Sequence, residues 1–291
     1  QPVAREIAQL NEKIQIVELS GVPSNDERDR RELLLKQLGE KVSIKSAESK
    51  DGQLTITAAG TAVMVSGYSQ RDLSVAATPG RDGKREGNFE VFYKSTENST
   101  PVNITKQLKG GEIGGLLEVR DTVVNEFIHG MDELAYKVAE EVNMAHVQGY
   151  DRNGRTGNIF FETTQDVPGA AENLKVSEFI SNDVGRIAAG AQANAPGDNR
   201  LANVLSGLQY KGVFNGGTAT LDDHYNSLVG KIGIETQRAN SAQEAQTDIL
   251  GQLKNLRESI SGVSIDEEMT KMIEFQKSFD ASARLVRTAD E

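Results

Sequence analysis

Residues 220–260 read TLDDHYNSLVGKIGIETQRANSAQEAQTDILGQLKNLRESI. Leu221, Tyr225, Leu228 and Ile232, then Ala239 and Ala242, then Ile249, Leu253, Leu256 and Ile260 recur at alternating steps of four and three. That is the spacing of a heptad seam. Glu235 and Gln246 fill the two remaining seam positions, so the middle of this helix is soft and polar. About forty helical residues span roughly 60 Å at ~1.5 Å per residue. After Ser261-Gly262-Val263 a second helix is expected. Ser264 and Glu267 have capping-box spacing, and Ile265, Met269, Met272, Phe279, Ala283 and Val286 carry the seam on, with Gln276 as its polar member. A charge buried in such a seam is costly, so Leu253→Asp is expected to weaken the helical domain. The pattern is still running at Glu291, and Gln1 stands inside an apparent helix. Both ends read as cuts in a longer, assembling protein, and the piece is expected to be mainly monomeric.

Upstream, Val3, Ile7, Leu10, Ile14 and Val17 mark a first amphipathic helix that Gly21, Pro23 and Ser24 close. A second runs from about Asn25 to Leu38, with Asp26 and Glu27 at the positive end of its dipole. The period then falls to two from Val42 to about Ile104. Val42 and Ile44, Leu54 and Ile56, and Phe89, Val91 and Tyr93 alternate with polar neighbours. Lys50-Asp51-Gly52 and the stretch Arg81 to Gly87 are turns, and Ala62 to Val65 reads as a buried strand. A long helix follows from about Leu116 to Val147, with Gly149 as its C-cap. Ile159-Phe160-Phe161 is a short extended anchor. Asp198 or Asn199 caps a short helix through Leu208, and Gly212 to Thr220 is a glycine-rich loop. The expected fold class is therefore α+β, mainly α: an elongated helical bundle of long coiled-coil-like helices with an inserted small β domain. The helical rod comprises 1–39 and 105–291, and the β domain 40–104.

With 291 residues the chain can build one large domain or two ordinary ones. Its net charge of −11 argues against nucleic acid or an anionic membrane as partner. There is no cysteine, which removes disulfides, thiol nucleophiles and cysteine-type zinc sites. No apolar run is long enough to span a bilayer.

Sites for chemistry are sparse. Gly110, Gly111, Gly114 and Gly115 precede a helix but lack the lysine and hydroxyl of a phosphate loop. They read as a strand-to-helix reversal that needs positive φ. Asp151-Arg152-Asn153-Gly154-Arg155 resembles the start of a calcium loop, and Glu162 stands at its twelfth position. Arg155 and Thr156 fail the fifth and sixth positions, which leaves a plain turn. His129, His146 and His224 show no metal-ligand spacing, and His146 reads as a packing or hydrogen-bonding residue. No nucleophile, base and orienter assemble. The expectation is no enzyme, no cofactor and no metal.

The same residues resemble a known family. Leu134-Ala135-x-x-x-Ala139-x-x-x-Asn143-x-x-His146-x-x-Gly149-Tyr150-Asp151-x-x-Gly154-x-x-Gly157-x-x-Phe160-Phe161 is similar to the signature of the flagellar hook-associated protein 1 family. Gly110-Gly111-x-Ile113-Gly114-Gly115-Leu116-Leu117-x-x-Arg120-Asp121 resembles the family's entry into the same helix. Gly197-Asp198-Asn199, the 261–268 stretch and the tail from Phe275 to Asp290 resemble later landmarks in the right order. Only about forty residues separate Phe161 from Gly197, too few for the further β domain that some members carry. The resemblance implies a structural adaptor at the hook–filament junction of the bacterial flagellum. Such proteins are exported through the type III apparatus and assemble outside the cell as a ring. The implied partners are the hook protein, the second junction protein, neighbouring copies, and an export chaperone at the C-terminal region. A flagellin-like filament subunit and a secreted helical surface protein or adhesin are the competing readings. The Gly149-Tyr150-Asp151 and Phe160-Phe161 block favours the junction protein.

Overall fold

The computed structural model describes residues 2–79, 86–261 and 265–290. The turn at 262–264, with the Ser264–Glu267 capping pair, lies outside the described residues, as does most of the Arg81–Gly87 turn. Helix α1 (Pro2–Leu19) and helix α2 (Asn25–Lys41) form an antiparallel hairpin. The expected end of α2 at Leu38 is extended by one turn to Lys41. Val42 accordingly caps that helix, its N–H bonded to the Leu38 carbonyl, and the first strand begins at Ile44.

Among the described residues seven strands follow: β1 (Ile44–Glu48), β2 (Leu54–Ala58), β3 (Ala62–Ser66), β4 (Ser69–Gln70), β5 (Leu73–Pro79), β6 (Glu86–Tyr93) and β7 (Val102–Asn103). They make two antiparallel meanders in the orders β1-β2-β3-β4 and β5-β6-β7. The β1–β2 turn falls where Lys50-Asp51-Gly52 puts it, with Gly52 at φ +75. Strand β2 buries Leu54, Ile56 and Ala58 and leaves Thr55 and Thr57 half-buried, the alternation of a one-sided sheet.

Ile56, Met64 and Val65 of the sheet share one buried cluster with Ile7, Leu10, Leu34 and Leu38 of the helical hairpin and with Ile104 and Leu108. Each large aliphatic side chain fully buried there contributes about 1.5–3 kcal/mol. Tyr93 joins the sheets by donating its hydroxyl to the Val63 carbonyl at 3.2 Å. Asn11, fully buried on the apolar face of α1, ties helix to strand: its Nδ2 donates to the Leu54 and Gly67 carbonyls at 2.8 and 2.9 Å. The amide oxygen of Asn11 accepts from Arg31 Nη1 at 2.9 Å.

The long helix begins earlier than Leu116 and is not uniform. Helix α3 (Gly111–Glu118) passes into a π-helical segment, Val119–Val124, and then into α4 (Asn125–His146). No residue from 115 to 129 is buried. Val119, Thr122, Val123 and Val124 are β-branched and poor helix formers, which suits a break in the i→i+4 ladder.

Two short helices, α5 (Ala170–Asn173) and α6 (Glu178–Ser181), and α7 (Arg200–Gly207) follow α4. The chain ends in α8 (Leu221–Ser261) and α9 (Ile265–Asp290). Contacts divide the chain into two units, 1–224 and 225–291. The expectation that the C-terminal seam is a buried core is corrected. Leu228 is buried, but Leu253 is 55% exposed, Ile260 75% and Phe279 74%. The core lies instead in the α1–α2 hairpin and its sheets, where helices and strands cover each other.

Candidate functional site

The residues between Asn143 and Phe161 form a clamp at the end of α4. Asn143 and His146 stand three residues apart and so share a helix face. The Asn143 Oδ1 accepts the main-chain N–H groups of Phe160 and Phe161, both at 2.8 Å, and its Nδ2 donates to the Phe161 carbonyl at 2.9 Å. One amide side chain thus acts as a strand partner for the extended anchor. Phe161 also pairs with Val176 in an isolated bridge.

His146 is fully buried. Its Nε2 accepts the Ala188 N–H at 2.9 Å, so the proton sits on Nδ1, which donates to the Asn158 carbonyl at 2.8 Å. The ring meets Phe160 edge-on at 5.4 Å, and Phe160 meets Phe161 at 4.9 Å. Both ring nitrogens are committed to main-chain groups, which is the hydrogen-bonding role expected for His146.

Gly149 is not the left-handed C-cap expected of it. Its φ is not among the positive values, and a Cβ there would lie 2.0 Å from Leu201 Cδ2 and 3.0 Å from Ala188 Cβ. Glycine is needed for close approach, not for a turn. Tyr150 then pairs with Gly190 through an N–H···O bond of 2.9 Å. Asp151, buried, turns its Oδ1 to the N–H groups of Asn153 and Arg155, both at 2.8 Å. The calcium-like stretch is therefore a carboxylate-capped turn, with Gly154 at φ +68.

The glycine cluster is half as expected. Gly110 and Gly111 have φ of +76 and +65. A Cβ on Gly111 would also sit 2.8 Å from the Val42 main chain, and one on Gly114 2.8 Å from the Lys109 carbonyl carbon. Gly115 has open space and an ordinary φ. Lys41 pairs with Glu112 across this junction.

Two partners escaped the sequence. Asp132, buried within α4, accepts from the Gly169 and Ala171 N–H groups at 2.8 and 2.9 Å and so anchors the start of α5. Glu141, also buried, takes Lys211 Nζ at 2.6 Å. For Asp132 the available signal was an acidic side chain on the helix face that carries Ala135 and Ala139, a face that Glu141 does not share. Arg200 donates to both oxygens of Asp198 and holds that carboxyl well below the usual carboxylate range, and the Ala191 N–H adds to the effect.

The unit 225–291 presents a different surface. Leu253, Leu256 and Ile260 on α8, and Met269, Met272, Phe275 and Phe279 on α9, are each more than half exposed. Exposed apolar side chains recurring along a helix are a common feature of interaction surfaces. Among the described residues no cluster of three or more His, Cys, Asp or Glu side chains is placed to hold a metal ion.

The family model described as the flagellar hook-associated protein FlgK helical domain matches residues 2–161, more than half of the chain. The chain belongs to this family. A second model, the C-terminal region of flagellar basal body rod FlgEFG proteins, matches residues 257–291. The chain is 30% identical to flagellar hook-associated protein 1 of Bacillus subtilis over 97% of its own length and 60% of that protein. It is 26% identical to the Escherichia coli protein of the same name, over 99% of this chain and 67% of that one. The chain thus spans about two thirds or less of the length of these relatives. A solved structure of the flagellar hook junction protein FlgK from Burkholderia pseudomallei aligns with a TM-score of 0.75 at 16% identity, covering 89% of this chain and 82% of that one. That likeness shows a shared fold. Residues 143–161 of the clamp fall inside the matched stretch, and its partners Val176 and Ala188 fall outside it.

Proposed function

We propose that this chain is part of a ring-forming structural adaptor that joins hook to filament in the bacterial flagellum. The observation that carries the proposal is the exposed apolar face of α8 and α9. It lies partly in the segment that resembles the C-terminal region of rod proteins, and an assembling subunit needs such a face. Family membership and the names of the relatives supply the place of assembly. The partners are then the hook protein, the second junction protein and neighbouring copies, with an export chaperone engaging the C-terminal region before assembly. The site of action is outside the cell, at the hook–filament junction. The role proposed is mechanical, and side chains of the clamp that serve main-chain groups support that reading. The segment 40–104 is proposed as an inserted β domain on the helical rod 1–39 and 105–291. Its two sheets lie wholly within those bounds.

Immunogold electron microscopy of intact flagella, with an antibody raised against this chain, tests the assignment. Label is expected in a narrow band at the hook–filament boundary. Label along the whole filament would make it a flagellin-like subunit, and no label on flagella would point to a secreted surface protein.

A further inference from the structure

The chain carries two Asn-Gly pairs, Asn153-Gly154 and Asn215-Gly216. At such a pair the glycine main-chain nitrogen can attack the asparagine Cγ, because no Cβ on the following residue blocks the approach. Whether it does so in a folded protein depends on how firmly the nitrogen and the amide are held.

At the first pair the nitrogen is held. The Gly154 N–H donates to the Asp151 carbonyl at 3.0 Å. The flanking N–H groups of Asn153 and Arg155 both end on Asp151 Oδ1, and Asn194 packs against Gly154. At the second pair the peptide is loose. Asn215 is exposed and sits at φ +50, an uncommon region for a residue with a side chain. Gly216 and Gly217 follow at φ +71 and +94. Among the described residues nothing accepts the Gly216 N–H and nothing bonds the Asn215 amide. Only the Asn215 carbonyl is engaged, by Thr218 Oγ1 at 3.0 Å.

We propose that Asn215 is a self-modification site, converted by its own backbone to aspartate and isoaspartate. The bond from Gly216 N to Asn215 Cγ forms, the nitrogen's proton passes to solvent base, and the Cγ–NH2 bond breaks to release ammonia. Water then opens the resulting succinimide at either carbonyl. No oxidant or reductant takes part. Both products add one negative charge, and isoaspartate also inserts a methylene into the main chain.

The extra methylene falls inside a working turn. Phe214 pairs with Ala219 across it, and the Phe214 ring stacks on His224 at 3.9 Å and 9°. His224 Nε2 in turn bonds the Gly130 carbonyl of α4 at 3.2 Å. The turn therefore holds the first turn of α8 against α4, and modification loosens that attachment.

Incubating the folded chain in mildly alkaline buffer and mapping its peptides by mass spectrometry tests this. Replacement of NH2 by OH is expected at Asn215 about tenfold faster than at Asn153, the factor set by roughly one hydrogen bond holding Gly154. In urea the two rates should converge. Equal or faster reaction at Asn153 in the folded chain would overturn the proposal, as would an Asn215 that reacts only in urea. Hydrogen exchange then reads the consequence. Amides of His224 and its neighbours should lose protection in aged chain but not in aged Asn215→Gln chain, and unchanged protection in both would refute the coupling to α8.

Discussion

At the scale of single residues, glycines that look alike in the sequence do unlike work. Gly149→Ala forces a methyl into Leu201 and Ala188, and overpacking of this kind costs about 1–3 kcal/mol. Gly115→Ala meets open space inside α3 and should stabilise by up to about 1 kcal/mol. Urea denaturation of the two variants checks both signs, and a Gly149→Ala chain as stable as its parent would remove the close-approach argument. Of the clamp, His146 as a packing or hydrogen-bonding residue and the Phe160-Phe161 anchor were legible in the residues themselves, and Asn143 only through the family signature. The clamp's counterparts were not. Asp132 and Glu141 look like ordinary solvated helix charges until Gly169, Ala171 and Lys211 arrive from distant sequence. The role of Gly149 was hidden for the same reason: only the fold brings Leu201 to it.

At the scale of elements, hydrophobic period recovered every long helix and most strands, because both signals are local. It did not say which apolar stripe would be covered. The steps of three and four in α1 end in a core, while the same steps in α8 beyond Leu228 and in α9 end in water. Leu253→Asp is therefore expected to leave the melting temperature of the chain nearly unchanged, within about 0.5 kcal/mol, as for other exposed positions. A clear drop would place Leu253 in a buried seam after all. The π segment was likewise invisible to a period analysis, since its residues continue the helical tract. No residue from 115 to 129 is buried, although Arg120 reaches the Phe89 carbonyl of β6 at 2.6 Å. Native-state hydrogen exchange should find Val119–Val124 opening well before the buried half of α4, from Gly130 to His146. Equal protection across the tract would show the segment to be as firm as its neighbours.

At the scale of the molecule, the α1–α2 hairpin is fastened to the first sheet by charge as well as by its core. Arg28 grips both oxygens of Glu18 at 2.6 and 2.8 Å and reaches Glu48 at 2.8 Å. Arg31, buried, shares Glu48 at 2.9 Å and bonds the Gly52 carbonyl at 2.6 Å. The Arg28 bond holds the Glu18 carboxyl below its ordinary value of 4.5. Burial pushes Glu48 up, but bonds from Arg31 and Arg28 outweigh it and the net direction is again down. Carboxyls depressed in the folded state stabilise it fully above their unfolded pKa and lose that effect as pH falls through the folded one. Urea midpoints should therefore decline as pH drops below about 4.5, and Glu48→Gln should flatten the decline. A parent and variant with parallel pH profiles would rule the network out as the cause. The core that this network fastens also has a kinetic meaning. Its members run from Ala4 to Leu108, and its ties, such as Asn11 to Gly67, fall within that same stretch. A chain emerging from its N-terminal end can complete this nucleus before α4, α8 or α9 is available, because every buried member of the cluster precedes them in the sequence.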